Sequence, residues 1–198
     1  MVQGSLAGNP LALVLFWLTF WAWVALWLGI VRRDRGTDVR PSTDQGSRAL
    51  IGITFWSGVL GAFLAAWMVP AAQLPGSEWS ILLGGLVLMW GGMALRLWAV
   101  QTLGRLFRTV VVLQDHHRLI SDGPYRLIRH PSYAGSLLTL AGLSLALGNW
   151  LSLLVAVLCP LVGFTRRIRI EEATMQARFG DDYTAYARRT WHLLPWLW

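Results

Sequence analysis

The chain has no lysine, a single cysteine and few charged residues for its length. Only 14% of its 198 residues are charged, against about a quarter in soluble domains, which argues against a soluble fold. Cys159 has no partner within the chain, so a disulfide scaffold is excluded. At 55% hydrophobic residues, the chain is too apolar to remain solvated and disordered. There is no Walker loop and no G-x-G-x-x-G after a predicted strand, which leaves a soluble nucleotide-binding fold unsupported. No H-E-x-x-H is present, and the adjacent His116 and His117 turn their side chains apart, so no metal is expected. No Ser-His-Asp set stands at a recognisable spacing. What is present is a mean hydropathy of +0.49 and 13 Trp, a residue suited to membrane interfaces. The composition describes an all-α polytopic integral membrane protein.

A membrane helix needs about 20 mostly apolar residues. Pro10 to Val31 and Ala49 to Pro70 carry no charge, and Trp79 to Val100 is interrupted only by Arg96. Tyr133 to Thr165 is too long for one helix, and Gly148-Asn149 marks a tight turn within it. The expectation is five transmembrane helices, the last two forming a hairpin. The first run has no positive n-region before it and is too long for a cleaved signal peptide. All 17 basic residues are arginine. With five spans they fall on one side, which the positive-inside rule makes cytoplasmic, with the N-terminus outside and the C-terminus inside. Arg96 reads as a side chain reaching the interface, although a charge within the membrane is a functional suspect. The net charge of +7 then reflects topology and attraction to anionic lipid, and no nucleic acid is expected. Residues 1–100 read as three membrane helices with short loops. Residues 101–198 read as the functional region, with the hairpin and a cytoplasmic C-terminal helix.

Two polar segments could carry chemistry. The first, Gln114 to Gly135, holds three of the four histidines. Asp122-Gly123-Pro124 reads as a turn, and Pro131 suits the first position of a helix whose free amides would attract an anion beside Arg129 and His130. Anchoring alone would account for the arginines and tyrosines, but not for paired histidines, a Gly-Pro turn and Arg-His-Pro together. The second, Arg166 to Gly180, reads as a helix with Gly180 as its C-cap. Arg167 and Glu171 share a face. They form either an exposed salt bridge of a few tenths of a kcal/mol or, at the membrane surface, an arginine able to grip a carboxylate bidentately. His192, in the Trp-rich tail, reads as an interfacial residue.

Together these segments resemble the isoprenylcysteine carboxyl methyltransferase family of membrane enzymes. The resemblance rests on His117-Arg-Leu-Ile, Gly123-Pro-Tyr125 and Arg129-His-Pro-Ser-Tyr-x-Gly135. It continues in Glu171-Glu172, Phe179-Gly-x-x-Tyr183-x-x-Tyr186 and Pro195, and covers roughly the carboxyl-terminal half. It implies an S-adenosylmethionine-dependent methyltransferase without a Rossmann domain. It assigns cofactor contacts to His117, Arg118, Leu119, Ile120, Tyr125, His130, Pro131, Ser132, Tyr133 and Glu171. It places the substrate carboxylate on Arg167, with Arg166 and Arg169 close by. The implied acceptor is lipidic or prenylated and enters from the bilayer, while the cofactor enters from the cytoplasm.

The residue inventory suits methylation of a carboxylate. That group is ionised at neutral pH and needs no general base, and its attack on a sulfonium neutralises charge, which a water-poor site favours. An amine must first lose a proton, and a guanidinium nearby would not help. The alternatives are a phospholipid-amine N-methyltransferase, a membrane sterol-type reductase and a non-enzymatic membrane scaffold.

Overall fold

A computed structural model describes residues 9–34, 46–104 and 119–193. Six α-helices account for most of them: α1 Pro10–Asp34, α2 Ser47–Met68, α3 Glu78–Leu103, α4 Pro131–Ala146, α5 Trp150–Phe179 and α6 Asp181–Arg188. Among the described residues there is no named strand, only isolated bridges between Gln73 and Asn149 and between Ile128 and Trp191. The all-α membrane class therefore holds, but the count of five spans is corrected. Among the described residues four helices, α1, α2, α3 and α5, are long and apolar enough to cross a membrane. The expected fourth span, α4, has 16 residues, about 24 Å at 1.5 Å per residue, short of a hydrocarbon layer about 30 Å thick. The apolar run from Tyr133 to Thr165 divides unequally because α5 does not stop where its apolar stretch ends. It runs on through Arg166 to Phe179, for 30 residues in all.

The helices are apolar on nearly every side, which is expected of helices that pack together on one face and meet lipid on another. Leu18, Trp21, Leu60, Val87, Trp90 and Val162 are exposed. Phe16, Phe55, Leu82, Met89, Leu140, Leu143 and Phe164 form the core.

Helices α3 and α4 touch backbone to backbone. A Cβ at Gly85 would lie 2.6 Å from the Gly142 carbonyl oxygen, and one at Gly92 would lie 2.5 Å from that of Gly135. The two contacts are seven residues apart on both helices, so each pair recurs after two turns on the same face. Small residues permit this approach, which replaces the hydrophobic drive that is absent between helices in lipid. At one end of the bundle the α4–α5 turn is fixed by Asn149. Its Oδ1 accepts from the Ser152 amide at 2.9 Å as an N-cap, and its Nδ2 donates to the Val69 carbonyl at 2.9 Å. The opposite end carries the polar groups.

Candidate functional site

The polar end is organised by the start of α4. His130 is the N-cap residue and Pro131 the first helical residue, as expected of a proline that has no amide to lose there. Just before it, Gly123–Arg126 forms a 3-10 turn, with Gly123 at φ 56°. The chain's carboxyl-terminal segment returns alongside. The Arg129 and His130 amides donate to the carbonyls of Trp191 and His192 at 2.7 and 3.1 Å, and the Trp191 amide donates to Leu127 at 2.9 Å. The Tyr186 hydroxyl donates to the Tyr125 carbonyl at 2.8 Å.

Into this frame α5 delivers two consecutive carboxylates. Neighbouring helical residues point about 100° apart, so each needs its own partners. Glu171 Oε1 accepts from Arg167 Nε at 2.7 Å and from the Tyr133 hydroxyl at 2.7 Å. Glu172 Oε1 receives Arg129 Nε at 2.9 Å and lies 3.0 Å from His192 Nδ1. His130 lies between them, with Nδ1 3.5 Å from Glu171 Oε2 and Nε2 3.2 Å from Glu172 Oε1. Burial alone would depress the His130 imidazolium. The hydrogen bonds and charges of Glu171 and Glu172 oppose that, and its pKa lies above the usual histidine value. The Tyr125 phenol is pushed well above its ordinary range by burial first and by the Glu171 charge second.

Arg167 is 1% exposed, and its Nη1 donates to the buried Ser47 hydroxyl, at the start of α2, at 2.9 Å. The Arg167–Glu171 pair is therefore not an exposed salt bridge. Arg129 is also largely enclosed, at 7% side-chain exposure. It donates to the Ala187 carbonyl at 2.7 Å and to the Thr190 carbonyl, tying α5, α6 and the final segment together.

Of the residues expected at the site, His130, Tyr133, Arg167 and Glu171 meet in one hydrogen-bonded cluster. Pro131 and Ser132 open α4, and Ser132 gives its carbonyl to the Ser136 hydroxyl at 2.9 Å. Tyr125, within the 3-10 turn, is buried, with its hydroxyl 3.5 Å from the Ala99 carbonyl. Leu119 and Ile120 are half-buried and lie outside regular structure. His117 and Arg118 lie outside the described residues.

Sequence reading missed the roles of Arg129, Glu172, His192 and Ser47. The doubled glutamate was the available signal, since two adjacent half-buried acids on neighbouring faces of a helix require two sets of cationic partners. His192, expected at the interface, instead joins Glu172. Its Nδ1, His130 and Glu172 offer ligand atoms within 4.8 Å of one another, a spacing a metal ion could use. The Arg129 guanidinium already occupies the same Glu172 oxygen.

The model of the isoprenylcysteine carboxyl methyltransferase (ICMT) family matches residues 85–177. Over that stretch, a little under half of its length, the chain is similar to the ICMT family. The match runs from the first glycine contact of α3 to the end of α5 and takes in Tyr133, Arg167, Glu171 and Glu172. A rice protein (Oryza sativa subsp. indica) named "Probable protein-S-isoprenylcysteine O-methyltransferase" is 37% identical over 121 residues, covering 60% of this chain and 63% of that protein. The protein-S-isoprenylcysteine O-methyltransferase of Schizosaccharomyces pombe is 36% identical over 100 residues, 50% of this chain and 42% of its own. The solved structure of a eukaryotic intramembrane Ras methyltransferase ICMT superposes with a TM-score of 0.60 at 28% identity, over 73% of this chain and 52% of that one. The chain thus spans less than two thirds of the ICMT relatives it matches. It shares their membrane-helical fold.

Proposed function

We propose that this protein is an S-adenosylmethionine-dependent membrane methyltransferase that esterifies the carboxylate of an isoprenylcysteine-like or other lipidic acceptor. The observation that carries this reading is the hydrogen-bonded chain His130–Glu171–Arg167 with Tyr133, within the ICMT-matched stretch where α5 passes from apolar to charged sequence. The residues present fit such a methyl donor. Glu171 and Glu172, each 22% exposed, offer carboxylate oxygens to a cation, and the Tyr133 ring stacks 5.9 Å from that of His130. His130, Pro131, Ser132, Tyr133 and Glu171 would hold the donor together with Leu119, Ile120 and Tyr125, and with His117 and Arg118 outside the described residues. When bound, the donor supplies an electrophilic methyl on a sulfonium, which a carboxylate oxygen takes to give an ester and a neutral thioether.

The protein's own groups bind, orient and exclude water. The ion pairs around His130 keep both glutamates anionic, and the Tyr133 and Arg167 bonds fix Glu171 in one rotamer. Rate then comes chiefly from alignment, because no proton must move. Arg167 is our candidate for the acceptor's carboxylate. An anion is a stronger hydrogen-bond acceptor than the neutral Ser47 hydroxyl and would take its place on Nη1. The arginine-rich end faces the cytoplasm on this reading, and the acceptor arrives laterally from the bilayer.

Calorimetric binding of S-adenosylhomocysteine to the detergent-purified chain tests this. Saturable micromolar binding is expected, abolished by Glu171→Ala and by His130→Ala. Arg167→Ala should keep that binding and lose turnover. No binding by a folded wild-type sample overturns the methyltransferase reading, and a fully active Arg167→Ala overturns the acceptor assignment alone.

A further inference from the structure

Arg96 is the one charged residue of α3 beyond its first turn. It lies seven residues before the helix ends at Leu103, about 10 Å into the helix. An arginine at that depth can extend to the polar boundary. Here it instead turns inward, and its Nη1 donates to the Ser136 hydroxyl on α4. Ser136 is 2% exposed and spends its own proton on the Ser132 carbonyl at 2.9 Å, so only an oxygen lone pair faces the guanidinium. Arg96 Nε is buried and has no hydrogen-bond partner. No carboxylate among the described residues forms an ion pair with Arg96. A guanidinium with a neutral partner and a buried, idle Nε–H lacks an anion, and an ionisable group inside a membrane helix calls for a named partner.

Three features bear on what that anion is. Tyr133 stands three residues before Ser136 on the same face of α4, about one turn nearer the polar end. Tyr133 is also in electrostatic range of Arg96, and its hydroxyl reaches Glu171 at 2.7 Å. Arg96 thus lies on the membrane side of the glutamate cluster, with one tyrosine between them. At Gly135 a Cβ would meet the Arg96 amide nitrogen at 2.8 Å, so the close helix contact brings α4 directly onto Arg96. A carboxylate carried on an apolar tail would reach Arg96 from the bilayer before it reached the glutamates. Arg167, the other guanidinium, already holds Glu171 and Ser47.

We infer that Arg96 is a second guanidinium for the carboxylate of the lipidic acceptor, contacting it through Nε and selecting an acid over its neutral isostere. The inference rests on the methyltransferase reading above and deepens it. Its expected signature lies in acceptor affinity. A fixed cation stabilises the ground-state carboxylate as well as the transition state, so its loss weakens binding more than it slows the chemical step.

The test compares full-length wild type, Arg96→Gln and Arg96→Lys in lipid nanodiscs. The probes are an N-acylated S-isoprenylcysteine and its primary carboxamide, each used as a competing ligand, with S-adenosylhomocysteine binding measured in parallel. Wild type should prefer the acid at least about tenfold. Arg96→Gln should lose most of that preference and raise the acceptor KM about tenfold or more, with kcat within about threefold and S-adenosylhomocysteine affinity unchanged. Arg96→Lys should retain part of the preference. Undiminished discrimination in Arg96→Gln overturns the inference while leaving the methyltransferase reading intact. Joint loss of S-adenosylhomocysteine binding also overturns it, because Arg96 would then serve the donor's carboxylate or the fold. Failure of wild type to methylate the acid refutes the underlying reading instead.

Discussion

Arg129→Met should loosen the chain's final segment. The wild-type Arg129 side chain is 7% exposed and pairs with a Glu172 side chain that is 22% exposed. It also holds the Ala187 and Thr190 carbonyls at the end of α6. Breaking a buried pair by removing one partner costs about 3–5 kcal/mol. Glu172 keeps its contacts to His130 and His192, so the lower end of that range, about 3 kcal/mol, is the better figure. At about 1.4 kcal/mol per tenfold, amides in residues 187–193 should exchange with deuterium about two orders of magnitude faster. Exchange mass spectrometry on a peptide spanning residues 181–193 would read this directly. Amides in α3 and α4 serve as the internal control and should stay protected. Arg129→Lys keeps a charge beside Glu172 but loses the guanidinium fork, so it should fall between the two. If exchange in that peptide changes by less than about threefold in Arg129→Met, this side chain does not hold the segment and the argument fails.

The other expectations concern packing, a turn and pH. Gly92→Ala sets a methyl 2.4 Å from Thr139 Oγ1 and 2.5 Å from the Gly135 carbonyl. It should cost at least about 1–3 kcal/mol in detergent melting. Gly52→Ala meets nothing within 4 Å and should be neutral or stabilising by up to about 1 kcal/mol; equal effects from the two would contradict the helix contact. Asn149→Ala removes an N-cap and an inter-loop bond from a residue 1% exposed. It should lower stability by about 1–3 kcal/mol, which thermal unfolding would measure. The His130 pKa is raised in the folded protein. Its stabilising contribution is therefore complete below the ordinary imidazole value of about 6.5 and fades as pH climbs through the raised one. The melting temperature of wild type should fall across that alkaline rise more steeply than that of His130→Gln, and parallel curves would exclude the imidazolium.

The features legible in the sequence were local ones. Pro131 at a helix start, the Gly148-Asn149 turn, the stop at Gly180 and the Arg167–Glu171 spacing each follow from one or two residues and a fixed helical period. Span length was not legible. Hydropathy marks where apolar residues end, whereas a helix ends where its backbone runs out of partners, and α5 carries its ladder past Arg166 without interruption. Two glycine pairs stand in α3, Gly84-Gly85 and Gly91-Gly92, and it is Gly85 and Gly92 that meet the α4 backbone while Gly84 and Gly91 touch only the Leu145 and Leu138 side chains. A single residue's 100° rotation decides that, and only the facing helix selects it. Arg129 was hardest to place, because two of its partners are backbone carbonyls, which leave no trace in side-chain identity.

The shortness of α4 sets the depth at which the proposed acceptor must present its carboxylate. Its lower end is tied by Asn149 to the turn at Val69, level with the ends of α2 and α3. Its 16 residues therefore bring the start of α4, at His130, to a height about 6 Å below that of a full 30 Å span, with Tyr133 deeper still. A lipid-tethered carboxylate then does not have to be drawn into water to be esterified. About 6 Å of hydrocarbon is some four or five methylenes, and at about 0.8 kcal/mol each, withdrawing them would cost roughly 3–4 kcal/mol. A helix about one turn longer would add that cost to every encounter with a lipidic acceptor.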